Sequence, residues 1–159
     1  MMLRLLKHFM ALSMLITAGL SHAELTIDIL KANNNAMPIA VVPFGSDTAT
    51  EPLNRIISDD LARSGLFKPS PSIPEQPTNS AEVVFKVWQG LGVDYVVVGK
   101  VTPDANNMLT IQYELVSSSQ QKRVLGESMT IPPTRWREAA HFISDRIFKH
   151  ITGMDGAFS

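Results

Sequence analysis

There is no cysteine anywhere in the 159 residues. That excludes disulfides, thiol nucleophiles and thiolate metal sites, and it excludes a lipid anchor built on a first mature cysteine. Histidine is almost as scarce. Beyond residue 23 only His141 and His150 remain, nine apart, which is not a metal-ligand spacing. Neither a metal nor a cofactor is expected. Basic residues do not exceed acidic ones: the net charge is -1, with 14 Lys and Arg against 15 Asp and Glu. Without the first 23 residues, which hold Arg4 and Lys7 and no acid, the balance is 12 against 15, or -3. A nucleic-acid partner would select a basic face to neutralise phosphates, so none is expected.

Glycine-rich phosphate loops are missing as well. Gly99 and Lys100 resemble the end of such a loop, but Asp94 holds the place of the glycine required five residues earlier. Gly90 and Gly92 close a helix rather than open one, the wrong polarity for a dinucleotide site. His141, Ser144 and Asp145 lie within one helical turn and cannot converge as nucleophile, base and orienter from separate elements. His141 and Asp145, four apart, suit a surface ion pair. No catalytic residue is assigned, and the chain is read as a non-enzyme.

What is present begins with an export signal. Arg4 and Lys7 form a basic start, Phe9 to Leu20 is apolar but too short to span a bilayer, and Ser21, His22 and Ala23 place small residues at the cleavage site. Residues 1–23 are expected to be removed between Ala23 and Glu24. That leaves a periplasmic chain with no stable membrane insertion.

The mature chain then opens on an arm. Leu25, Ile27 and Ile29 alternate with Glu24, Thr26 and Asp28 in a strand pattern, and the polar stretch Lys31 to Ala36 follows as a tether. The folded domain is expected over 37–159. Pro38 to Phe44 reads as a strand buried on both faces. Leu53 to Ser64 reads as a helix closed by Gly65, and Leu66 to Lys68 as a brief strand before a loop with prolines at 69, 71, 74 and 77.

A second helix is expected from a capping box at Asn79 and Glu82 to about Leu91, with Val84, Val87, Trp88 and Leu91 on one side. Strands follow at Val93–Val101, Leu109–Val116 and Arg123–Ile131. A last helix, capped by Thr134, carries Trp136, Ala140, Ile143, Ile147 and Ile151 as one apolar stripe. Asp60 is expected to face solvent near Arg63 or Ser64. The two tryptophans are read as core anchors. The order is β-α-β-α-β-β-β-α, a mixed sheet with helices packed on it.

Several blocks in this order resemble the TolB N-terminal domain family: PIAVVPF (38–44), DLARSGLFKP (60–69), PEQPTNSAEV (74–83), LGVDYVVVGKVTP (91–103), YELV (113–116) and AHFISDRIFKHITGMDGAF (140–158). The resemblance implies an anticodon-binding-like α/β domain, a periplasmic component of the Tol-Pal system, normally followed by a six-bladed propeller. In that family the first mature residues bind the inner-membrane-anchored TolA, here Glu24, Leu25, Thr26, Ile27, Asp28 and Ile29. The propeller binds the lipoprotein Pal, and colicins use the same surface. The system keeps the outer membrane attached and drawn in during division.

This chain stops at Ser159, just after the GAF block, so a truncated product or fragment without Pal binding is expected. The loop between Phe44 and Leu53 is short for the family, and Met37 stands where an arginine is usual. A second function class stays open beside this one, a glycan- or small-ligand-binding accessory domain of peptidoglycan or envelope assembly. A pocket with convergent polar groups would favour it.

Overall fold

In the computed structural model, residues 36–158 are described. The expected signal segment and nearly all of the arm and tether lie outside them. Five strands form one sheet: β1 (Met37–Val41), β2 (Phe67–Pro69), β3 (Tyr95–Pro103), β4 (Leu109–Ser117) and β5 (Lys122–Ile131). Their spatial order is β2-β1-β3-β4-β5. The first three are parallel, with Ile39 beside Pro69 on one side and Tyr95 on the other, and β3-β4-β5 is an antiparallel meander. The mixed sheet and the element order expected for 37–159 are both found.

Two layers cover the sheet because its strands alternate. Ile39, Val41, Val97, Val101, Ile111, Tyr113 and Leu115 point to one face, where they join α1 (Leu53–Arg63) and α3 (Trp136–Thr152) in the larger core. Ala40, Val42, Val96, Val98 and Val116 point to the other, under Trp88 of α2 (Phe85–Gly90) together with Val83 and Val93. β1 and β3 are thus apolar on both faces, as continuous runs such as YVVV require. Toward β4 and β5 the second face opens into a cleft, and there the sequence turns polar with Lys100, Gln112 and Ser128. Gly99 has a steric reason. A β-carbon on it would stand 2.5 Å from the Gln112 carbonyl oxygen and 2.6 Å from the Phe44 ring.

The stripe on α3 is placed as its spacing requires. Ala140, Ile143 and Ile147 are fully buried, while Trp136 and Ile151 at its ends are partly covered. Gly153 ends the helix at φ 74°, and its N–H bonds to the Lys149 carbonyl. The start differs from expectation. A 3-10 turn (Pro133–Arg135) leads in, Arg135 occupies the cap position, and no Thr134 side chain caps the helix.

The second helix is also shorter than its pattern suggests. Asn79 accepts from the Ala81 N–H, while Glu82 reaches past Asn79 to the Thr78 N–H, so both side chains cap the turn without closing the expected box. They cap only a 3-10 turn (Ser80–Glu82), after which the chain extends through Val83 and Val84 and restarts as α2. The break shifts the helical phase. Val83 and Trp88 go inside, and Val84 and Leu91 are left exposed at 49% and 46%. Two consecutive β-branched residues, costly in a helix, stand at the break.

Candidate functional site

The residues singled out for partner binding, Glu24 to Ile29, and the cleavage site at Ala23 and Glu24 lie outside the described residues. Within residues 36–158 three places bring reactive or recognisable side chains together, and each has a distinct chemistry.

The first is buried. Asp60 is 0% exposed, contrary to the expectation that it faces solvent. It lies three positions after Ile57 and four after Ile56, on the apolar stripe of α1, and therefore meets α3. His141 Nδ1 stands 2.7 Å from Asp60 Oδ2, Ser144 Oγ donates to the same oxygen at 2.8 Å, and Arg63 bonds to Oδ1. The expected His141–Asp145 pair is replaced by this contact, and Asp145 instead accepts the Phe158 N–H. A histidine, a serine and an aspartate do meet here, yet both partners converge on one carboxylate oxygen. The imidazole does not stand between acid and hydroxyl, so no proton relay to Ser144 exists. The cluster clamps two helices.

The second place is the open polar half of the sheet. A cleft of about 480 Å³ is lined by Asn79, Lys100, Gln112, Glu114, Arg123 and Ser128 among others. The β4–β5 register shifts between Leu115 and Val116, where Val124 is the extra residue of a bulge on β5, and Arg123 then crosses Gly126 to reach Glu114 at 2.9 Å. Ser80 N–H also donates to Glu114. Partial burial works against the charge on Glu114, but these two donors outweigh it and hold the carboxyl below its ordinary value. Glu82 is taken up in turn by Thr78 and Asn79. Glu114 and Arg123 of this cleft are thus spent on one another, which is not the convergence on a ligand that the accessory-domain reading calls for.

A third cluster joins β5 to α3. Arg146 Nε lies 3.1 Å from both oxygens of Glu127, and the Tyr113 hydroxyl donates to the same carboxylate. Arg146 is the main reason that the Glu127 carboxyl lies below its ordinary 4.5, against the opposing cost of desolvation. Burial, followed by the hydrogen bond to Glu127 and then its charge, pushes the Tyr113 hydroxyl up. The sign of the pH effect follows. A depressed carboxyl stabilises the fold above its unfolded value near 4.5, and that contribution disappears as pH falls through the lower folded value. Glu127→Gln should therefore be less stable than the parent near neutral pH, with the gap closing under acid. Urea midpoints measured at neutral pH and again about two units below the carboxylate range would check it, and a gap that stays constant would refute it.

Among the described residues no group of three or more His, Cys, Asp or Glu side chains could hold a metal ion, and no helix is long and apolar enough to cross a membrane.

A model of the TolB amino-terminal domain matches residues 25–124. The chain belongs to this family. It is 38% identical to the Tol-Pal system protein TolB of Acinetobacter baylyi, with 96% of this chain and 36% of that protein aligned. It is 39% identical to the protein of the same name from Pseudomonas aeruginosa over 89% of this chain and 34% of the other. The crystal structure of TolB from Acinetobacter baumannii superposes with a TM-score of 0.67 at 33% identity, covering 76% of this chain and 29% of that one. The chain spans about a third of the length of the curated relatives it matches. The family match starts at residue 25, inside the arm and twelve residues ahead of β1.

Proposed function

We propose that this chain is a non-enzymatic, periplasmic protein-interaction module of the Tol-Pal system, exported through residues 1–23 and cleaved before Glu24. Its arm, Glu24 to Ile29, adds to a sheet edge of TolA, and through that contact the module takes part in linking the inner membrane to outer-membrane Pal. The observation that carries this reading is the family match beginning at residue 25, together with relatives named as Tol-Pal system proteins.

The physical support lies in the arm's pattern. Leu25, Ile27 and Ile29 share one side of an extended strand, and Glu24, Thr26 and Asp28 share the other. Such a strand gains main-chain hydrogen bonds along an exposed edge while alternate side chains fill pockets. The described domain contributes a rigid base at Met37, where β1 enters the sheet between β2 and β3. Pal binding is assigned to a propeller, as in the family resemblance, and is not assigned to residues 37–159. Titration calorimetry of the TolA C-terminal domain into this protein tests the reading. A saturable heat with one-to-one stoichiometry supports it, and no heat at concentrations where a full-length relative binds would end it.

A further inference from the structure

We infer that the cleft at the carboxyl ends of β1 and β3 is a second recognition site, one that takes a single aromatic side chain of a partner polypeptide. This deepens the interaction-module reading and rests on it, but it does not involve the arm.

The topology singles out the place. From β1 the chain goes to β2 on one side through α1, then crosses to β3 on the other side through α2. The gap between β1 and β3 is therefore the switch point of the parallel half-sheet. In open α/β sheets the connections part there, and a crevice opens beyond the carboxyl ends of the strands. The crevice exists. It measures about 320 Å³, and its apolar wall is formed by Ala49, Val101, Leu109 and Trp136. An engineered apolar cavity of roughly 150 Å³ already holds a benzene ring, so there is room for a ring carrying a substituent.

Its framework is fixed before any partner arrives. Asp47 accepts from the Ala49 N–H at 3.0 Å and the Leu53 N–H at 2.8 Å, which holds the loop after β1 against the start of α1. Trp136 donates its indole N–H to the Glu51 carbonyl at 2.9 Å, so its ring is held in orientation as a wall. Ser46 is kept at φ 60°, a left-handed backbone that a serine adopts only under constraint.

The lining also states the chemistry of the occupant. The wall is apolar, while the hydroxyl-bearing residues Ser46 and Thr48 line the crevice and are exposed. The Asp47 carboxylate is already spent on two backbone donors. A group with an apolar body and one polar tip satisfies both parts, which describes tyrosine and tryptophan. Because the crevice is open along the exposed loop residues, it encloses only part of a ring. A ring attached to a chain laid across the mouth gains the remaining contacts, and this favours a polypeptide over a free small molecule.

The test is a titration of the isotopically labelled protein with N-acetyltyrosinamide, N-acetyltryptophanamide and N-acetylleucinamide, followed by the amide resonances of Ser46 and Ala49 and the Trp136 indole N–H. Both aromatic amides should shift these signals saturably and compete with each other, and the leucine amide should act roughly fivefold more weakly. Ala49→Phe, which fills the crevice, should remove the shifts, and Leu109→Asn should weaken them. Equal response to leucine, shifts spread over other faces, or shifts that persist in a folded Ala49→Phe protein would overturn the assignment. Should both variants unfold, the order of the probes and their competition decide it. Protein lacking Glu24–Ile29 should respond to the aromatic amides as the parent does. Loss of TolA binding with an intact aromatic response, or the reverse, then tells the failure of one reading from the failure of the other.

Discussion

Ile147→Ala should cost the domain about 2–5 kcal/mol, more than any exposed change on the same helix. Ile147 is fully buried on α3, in the core that also holds Ile57 and Leu61 of α1 and Leu115 of β4. Removing three side-chain carbons there loses their transfer free energy and leaves a void between layers that cannot collapse freely. His141→Ala on the same helix is the comparison. Its ring is one of three partners of Asp60, and the acid keeps Ser144 and Arg63 when the ring is gone. That change should cost about 1.5–3 kcal/mol, the range for a hydrogen bond to a charged group. Urea unfolding, with slopes unchanged between variants, would measure both. A larger loss for His141 than for Ile147 would mean that the α1–α3 clamp, not the apolar stripe, carries this interface.

The layers were readable from periodicity because the strongest signals are the least ambiguous. Ala140, Ile143 and Ile147 recur at helical steps on α3, and the YVVV run of β3 has no polar face to expose. Local chemistry was harder to read. Asn79 caps a helical turn as its type dictates, with Glu82 reaching back to the Thr78 N–H, yet Val83 and Val84 break the helix one turn later and leave Leu91 outside. A cap fixes where a helical turn starts and says nothing about whether the next turn continues.

Asp60 teaches a related point. Its type argues for solvent, while its spacing from Ile56 and Ile57 argues for the interior. Spacing won because His141, Ser144 and Arg63 are placed to receive the charge. The position was available in the sequence; the partners, 81 and 84 residues away for His141 and Ser144, were not. The aromatic crevice is less visible still. Trp136 reads as a core anchor, and it does pack against the core, but its exposed side forms a wall only because the loop after β1 folds across the end of β3.

Deleting Glu24–Ile29 should abolish association with the C-terminal domain of TolA while the domain from Met37 onward melts almost unchanged. The sheet and both cores described here are built from residues within 36–158. Between arm and domain, Leu30 is the one apolar side chain larger than alanine, and Lys31 to Ala36 offers none, so the tether has little that needs burial. Losing the arm therefore removes main-chain donors and acceptors, together with Leu25, Ile27 and Ile29, from a partner's edge, and takes little from the fold. Ile27→Asp should come close to the deletion, because burying an unpaired carboxylate in an apolar pocket costs several kcal/mol, roughly three or more. Thr26→Ala, on the opposite side of the same strand, should weaken binding far less. Calorimetric titration of the parent and the three variants, beside their melting curves, distinguishes the possible outcomes. Undiminished binding by the deletion would move the contact onto the folded domain. A large fall in melting temperature would instead make the arm a sixth strand of its own sheet, with strand exchange rather than simple capture as the route to the partner.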